Sequence, residues 1–399
     1  MMHPRNSDLL KVSAFFGAAG NSAVHVAIPW LVLETTGSSA SAGVVLGVSG
    51  FSVVFTAPLI GGLVAVLGAR KVAISAEVIS MLSVLLFPLV GAFIGLNFAS
   101  LLVIATCGAM FDPAGATARR SMIQRIIDTE NLSPIKFNGS FEAASTIGII
   151  IGPAGGAIAI SKFGTNATFY VIASAFVLAS ITASLIRIDS VPDAAPIPVT
   201  VSQVLQETKT GASILFHDKP LFAMIGLYAL LSVLYMPVET IVLARHFKDL
   251  DDPRTLGFIL SAMSIGIVIG ALQFHRALKL LSPAGLVVWS MTIIGASVCA
   301  MALLPSALWF MGIGLVLGLA FGPVSPLGNY LVQQRVPERN HGPVFGVQLS
   351  LYHVATPAGS LALGLIIESV SIPSTLLLIG VTFIVVTLGL GLFGPIRRL

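Results

Sequence analysis

The sequence predicts an all-α membrane protein of twelve transmembrane helices in two parallel-repeat, six-helix halves. Three observations predict it. The 399 residues are 56% hydrophobic and 10% charged, and the 39 glycines bring the apolar share to about 66%, against ~45–50% in soluble globular domains. The apolar runs are continuous for about 20 residues, the length of a membrane-spanning helix, and lack the ten-residue alternation of barrel strands. Helices and closed barrels alone satisfy their backbone in lipid. Lastly, the two halves of the chain echo each other. Mean hydropathy is +0.97.

The spans fall at roughly 9–33, 42–66, 72–95, 98–117, 139–161 and 167–187, then 220–244, 255–275, 284–304, 307–330, 343–367 and 373–395. The first follows the polar MMHPRNSD and is too long for a signal-peptide core. The second and third are separated by the basic GARK, the fourth and fifth by a basic loop at 117–137, and the tenth and eleventh by another at 331–342. Between the sixth and seventh lies a longer segment, 188–219, where Pro192, Pro196 and Pro198 precede VSQVLQETKTGASILF. It reads as a cytoplasmic linker with an amphipathic helix. The expected domains are therefore 1–187, a six-helix bundle, the linker 188–219, and a second bundle at 220–399.

Basic residues set the orientation. With the N-terminus inside, only Lys162, Arg245, Lys248 and Arg254 of the 21 Lys and Arg residues fall in outer loops. Both termini are thus expected in the cytoplasm of a multi-pass plasma-membrane protein. The same bias accounts for the net charge of +4 without a nucleic-acid partner. Cys107 and Cys299 lie in apolar runs without metal spacing and read as packing residues. No metal site, cofactor, Walker motif or enzyme signature is expected.

The repeat shows in the ends of the fourth and tenth spans, FDPAGATARRSMIQRIID (111–128) and FGPVSPLGNYLVQQRVPE (321–338). Phe111, Pro113, Gln124, Arg125 and Asp128 meet Phe321, Pro323, Gln334, Arg335 and Glu338 at one offset. Pro153-Ala154-Gly155 meets Pro357-Ala358-Gly359 at another. Both members of each pair cross the membrane in the same direction, the pattern of halves related by an axis along the membrane normal.

The fifth span holds GIIIGPAGGAIA (148–159). Gly costs a helix about 1 kcal/mol relative to Ala, and an interior Pro about 3 kcal/mol. Gly148, Gly152 and Gly156 recur every four residues, so they share one face. Small residues so spaced let two helices approach closely in lipid, and Pro153 can bend the helix. A bendable interface and a static packing seam are both consistent with this pattern. With NSAVHVAIPWLVLETTGSSASAGVVLGVSGF (21–51) and FDPAGATARRSMIQRI, the stretch resembles the major facilitator superfamily, in particular its drug, macrolide and siderophore exporters. Gly148, Gly152, Pro153 and Gly156 look like its antiporter motif, and Pro357 and Gly359 repeat part of it in the eleventh span. The resemblance implies the major facilitator fold and secondary transport by alternating access.

Three departures weigh against proton coupling more than against the fold. GGLVAVLGARK (61–71) puts Ala65 and Val66 where the superfamily carries Asp and Arg, leaving Gly68, Arg70 and Lys71. Asn21 follows Gly20 where related exporters often have Asp. FASLLVIATCGAMF of the fourth span has no arginine, so a buried Arg is not expected.

Ionisable residues inside a span are functional candidates because they are costly there. Glu239, a turn in from the outer end of the seventh span, is the first proton-coupling candidate. His25 and Glu142 follow; a structural role competes for each, and Glu142 is within reach of Lys136. Glu34, Glu77, Asp112 and Glu368 sit at span ends and read as solvated or paired in loops, with Asp112 placed to latch Arg119 or Arg120. Arg70 joins these three as a cytoplasmic gate. If helices 1, 4, 7 and 10 line a central cavity and 2, 5, 8 and 11 form its sides, as the resemblance implies, Asn21, His25, Tyr235, Asn329, Gln348, Tyr352 and His353 are candidate substrate contacts.

The function that follows is export of a small amphipathic compound, such as a drug, antibiotic or siderophore, coupled to proton influx. A facilitator, importer or lipid-moving relative with other coupling is the alternative. The expected partners are the small-molecule substrate, the bilayer and protons, and the expected state is a monomer.

Overall fold

Every apolar run becomes a helix, and hydrogen-bonding side chains set where several begin. The computed structural model describes residues 5–187, 201–337 and 340–399. Among these it contains helices and no strand, and twelve helical stretches are long and apolar enough to cross a membrane. The chain divides into two compact units, Met1–Ile197 with Ala244–Ser261 and Pro198–Leu243 with Ala262–Leu399.

The first unit contains α1 (Asn6–Thr36), α2 (Ser39–Leu67), α3 (Ala69–Phe93), α4 (Phe98–Ala109), α5 (Asp112–Glu130), α6 (Pro134–Phe163) and α7 (Thr165–Leu185). Ser38 caps α2 by accepting from Ser41 N–H at 3.1 Å. Asn97 and Ser100 form a reciprocal capping box on α4. Gly37 ends α1 at φ 66°, a left-handed turn that favours glycine. The fourth span is interrupted by a turn at residues 110–111 and continues as α5 to Glu130. Most of the loop expected at 117–137 is therefore helical, because Asp112-Pro113 starts a new helix on a favourable first turn. The core at the basic end of this unit gathers Leu10, Ala73, Ala118, Ile126, Phe137, Phe141 and Ile186.

The second unit contains α8 (Val201–His217), α9 (Lys219–Leu234), α12 (Phe274–Leu280), α13 (Pro283–Met301), α14 (Ala307–Phe321), α15 (Val324–Arg335), α16 (His341–Ser369) and α17 (Ile372–Leu392). Two helices straddle the division near its edge, α10 (Leu243–Asp249) and α11 (Pro253–Leu272). Residues 201–217 of the expected linker are helix α8, and residues 188–200 lie outside the described residues. Helices α13 and α17 cross where neither glycine has a side chain. A Cβ on Gly295 would lie 2.8 Å from Gly380 O, and one on Gly380 would lie 2.6 Å from Gly295 O. A second such seam joins α11 to α14, where Gly266 and Gly270 face Gly318 and Gly322. Two Gly-x-x-x-Gly spacings, GIVIG and GLAFG, encode it.

Candidate functional site

The glycine face of α6 lies directly on the backbone of α1. A Cβ at Gly148 would strike Phe15 O and come within 3.0 Å of Ala19 N. One at Gly152 would sit 2.6 Å from Ala19 O and 2.7 Å from the Ser22 Cβ. One at Gly156 would sit 3.2 Å from the Ala23 Cβ. Gly155, off this face, meets nothing within 4 Å. In the second unit the corresponding approach of α16 to α9 rests on Gly359, where a Cβ would strike Val233 O. Gly155 and Gly359 correspond in the sequence repeat, yet only Gly359 is a contact residue. The first unit uses the preceding turn instead.

Next to this seam is a buried ion pair. Arg119 of α5 donates to Glu77 Oε1 of α3, and both residues are 3% exposed. Two glycines make room for it. A Cβ at Gly17 of α1 would lie 2.7 Å from Arg119 Nη2, and one at Gly115 would lie 2.7 Å from Glu77 Oε1. Asp112, Gly115 and Arg119 fall on one face of α5 at i, i+3 and i+7. Glu77 Oε2 is buried without a hydrogen-bond partner. Two expectations are corrected here. Glu77 is not solvated at a span end, and among the described residues Arg119 and Arg120 pair with Glu77 and Glu142 and not with Asp112. The apolar stretch 98–111 holds no arginine, as read, and the buried Arg119 lies beyond it on α5. Arg120 pairs with Glu142 at 3.3 Å, both well exposed. Glu142 thus has an exposed arginine partner and not Lys136. Arg70 donates to Ser184 O at the end of α7.

The other end of the first unit is tied by residues 245–261. Arg245 Nη1 donates to Gly37 O at 2.8 Å, and Lys248 Nζ lies 3.8 Å from Glu34 Oε2. That ammonium also sits 4.8 Å over the Trp30 ring, while Thr165 Oγ1 donates to Glu34 Oε2. Deeper, Ser261 Oγ donates to Ile150 O at 2.6 Å. A Cβ on Gly257 would strike Ala157 and lie 2.7 Å from Pro153 O. The helix carrying the antiporter-like motif is therefore contacted on two sides within this unit.

The second unit holds an uncharged polar cluster. Gln348 Nε2 donates to Tyr352 Oη at 2.9 Å, one turn along α16. Gln348 Oε1 and the Tyr228 hydroxyl are buried with no hydrogen-bond partner. Gly328 of α15 leaves the space between them, since its Cβ would lie 3.2 Å from the Tyr228 ring and 3.5 Å from Gln348 Nε2. Tyr228 was missed in the sequence. A tyrosine two turns before Tyr235 in an apolar span was the available signal. Tyr235 packs on Phe321 at 6.0 Å between ring centroids. The span then leaves regular α-helix for a π-turn, Val238–Val242, which contains Glu239. Such turns are common at functional sites. The Tyr235 hydroxyl faces Glu239 without reaching hydrogen-bond geometry.

The remaining candidates are dispersed. Asn21 is half-buried and His25 exposed on α1, and Asn329 is exposed on α15. The side chain of His353 lies outside the described residues. Among the described residues no group of three or more His, Cys, Asp or Glu side chains could hold a metal ion. What the arrangement offers chemically is hydrogen bonding and charge inside apolar helices.

The sequence model of the Major Facilitator Superfamily matches residues 11–251 and 221–398. The chain belongs to the major facilitator superfamily. It is a multi-pass membrane transporter and not an enzyme. It is 30% identical over 374 residues to "Multidrug efflux pump Tap" of Mycolicibacterium fortuitum, covering 92% of this chain and 91% of that protein. The Mycobacterium tuberculosis protein of the same name is 29% identical over 375 residues, covering 92% and 88%. "Macrolide efflux protein A" of Streptococcus pyogenes is 23% identical over 383 residues, covering 94% and 93%. Among solved structures, the nucleoside transporter NupG matches with a TM-score of 0.74 at 15% identity, over 97% of this chain and 98% of that one. A POT family transporter in complex with 5-aminolevulinic acid matches at 0.75 and 13%, over 98% and 96%. At these identities the two structures share the fold alone.

Proposed function

We propose that this superfamily member exports a small amphipathic, drug-like compound by alternating access, driven by proton entry, with both termini in the cytoplasm. One observation carries the reading. The relatives aligned over about nine-tenths of both chains are named multidrug and macrolide efflux pumps. The geometry supports it. The Gly148–Gly152–Gly156 face gives α6 a side-chain-free surface on α1, suited to repacking between two states. The apolar second unit offers Tyr228, Gln348 and Tyr352 as hydrogen-bonding anchors in a setting otherwise suited to a lipophilic body. Tyr228 O–H is a donor and Gln348 Oε1 an acceptor, and a buried polar atom without a partner is the exception in folded proteins. Glu239, in an irregular turn of an apolar span, is the carboxylate assigned to carry the proton.

The test is efflux of a fluorescent lipophilic cation and a panel of antibiotics that includes a macrolide, from cells expressing the protein, with and without a protonophore. Efflux that collapses with the protonophore supports proton-driven export. Efflux that survives it removes the coupling and keeps the export. No efflux of any panel member from well-expressed protein overturns drug export.

A further inference from the structure

In the second unit, where α8 meets the first residues of the span Lys219–Asp249, the surface dips into a recess of about 610 Å3. Ser213, His217, Asp218, Lys219, Arg335 and Arg398 line it. Its one carboxylate is already engaged. Asp218 Oδ2 accepts from Arg335 Nε at 2.8 Å, and Oδ1 from Arg335 Nη2 at 3.2 Å and from Leu221 N–H at 3.0 Å. This neutralises Arg335 and fixes the rim. Lys219 and Arg398 are exposed and form no ion pair with the described residues. His217 Nδ1 lies 2.6 Å from Ser213 O, a carbonyl that can only accept, so Nδ1 bears the proton. The recess is thus left with two uncompensated cations and an imidazole.

Beside it stand two exposed aromatic side chains. Phe216 is 65% and Phe222 45% exposed, and their rings pair at 4.9 Å between centroids. Lys209, Ser213 and His217 follow one another at four-residue spacing on α8, giving the helix a polar face that runs into the recess. A ligand for this place must present an anion and hydrocarbon side by side at the boundary of a membrane span. A soluble anion has no use for the aromatic pair, and a neutral lipid none for the cations.

We propose that the recess binds the phosphate of an anionic phospholipid, held by Lys219 and Arg398, with the upper methylenes of its chains on Phe216 and Phe222. The site is independent of the export reading, since it asks only that the chain lie in a bilayer. It pins α8 and the start of α9 to the membrane surface through the lipid.

The experiment uses the full chain, purified and delipidated in detergent, and counts retained lipid by native mass spectrometry during titration with phosphatidylglycerol or phosphatidylcholine. Wild type is expected to hold one phosphatidylglycerol in preference to phosphatidylcholine. Each surface cation near an anionic lipid contributes roughly fivefold, so Lys219→Gln/Arg398→Gln should weaken that binding roughly thirtyfold. Each single variant should weaken it roughly fivefold and serves if the double variant folds poorly. Both residues are exposed, so melting temperature should stay at the wild-type value. Phosphatidylglycerol retention unchanged in the variants overturns the site. Displacement of the lipid by an equal concentration of inorganic phosphate overturns the lipid assignment and makes this a soluble-anion site.

Discussion

The close seam between α1 and α6 makes a quantitative prediction with its own control. Gly152→Ala puts a methyl carbon 2.6 Å from Ala19 O and 2.7 Å from the Ser22 Cβ. Carbon-to-oxygen approaches settle near 3.3 Å, so α1 must retreat by about 0.7 Å at this turn. That retreat also loosens the turns above and below, at Gly148 and Gly156. Overpacking of this kind costs about 1–3 kcal/mol. Alanine recovers about 1 kcal/mol of helix propensity over glycine, which blurs the single measurement. Gly155→Ala gains the same propensity and meets nothing within 4 Å. The difference between the two variants is therefore the packing cost alone. At roughly 2–4 °C per kcal/mol for a body of this size, Gly152→Ala should melt several degrees below Gly155→Ala in the same detergent. Gly152→Leu should in addition stop transport in protein that still reaches the membrane. Equal melting temperatures for the two alanine variants would refute the backbone contact, and normal transport by Gly152→Leu would refute its role in movement.

The buried ion pair gives a second prediction. Arg119→Met or Glu77→Leu alone strands a buried charge and should cost about 3–5 kcal/mol, whereas the double variant should recover most of that loss; equal melting of single and double variants would mean the charges are solvated. Glu239→Gln should retain substrate binding but lose transport driven by a pH gradient, measured in proteoliposomes with an imposed gradient. Unchanged pH-driven uptake would clear Glu239 of proton transfer. Tyr228→Phe removes a buried hydroxyl without a partner, so melting temperature should hold or rise. Binding of an exported drug should weaken about 5–13-fold, near the 1–1.5 kcal/mol of one hydrogen bond, and an unchanged Kd would take Tyr228 out of the site.

The spans were legible in the sequence because a membrane helix is written in one continuous run. Residues 72–95 were expected and Ala69–Phe93 observed, residues 373–395 expected and Ile372–Leu392 observed. The glycine face of α6 was legible for a related reason, since a four-residue period fixes a helix face whatever packs on it. Glu77 was misread because its partner lies 42 residues away on another helix. Position near the end of a span suggested water or a loop partner, whereas Gly17 and Gly115 make room for a buried pair that only the tertiary packing reveals. Arg119 was named as a gate residue, but its burial against Glu77 was hidden for the same reason. Arg119 lies beyond the apolar run, on the helix that follows the turn at 110–111. Tyr228 and the α11–α14 seam could have been found. The first needed the seven-residue spacing to Tyr235, and the second the two Gly-x-x-x-Gly pairs.

The two units solve the problem of polar groups in lipid differently, and the difference bears on function. In the first, the strongest charges are paired and enclosed. Arg119 and Glu77 neutralise each other, and glycines on two helices are shaped around them. Removing either partner is expensive, so this arrangement holds three helices in one geometry. In the second, Tyr228 and Gln348 are buried, uncharged and unsatisfied at one atom each. A neutral hydroxyl or amide without a partner costs about 1–3 kcal/mol, a penalty that a folded unit tolerates and a passing ligand can relieve. The charged pair suits fixed structure, and in the export reading proposed above the neutral, incompletely bonded groups suit reversible binding. A compound that supplies an acceptor to Tyr228 and a donor to Gln348 gains those bonds only while it is bound. Its release restores the penalty, so in the proposed export reading these two bonds add to affinity, and because they are few and neutral the gain stays at about 0.5–1.5 kcal/mol each.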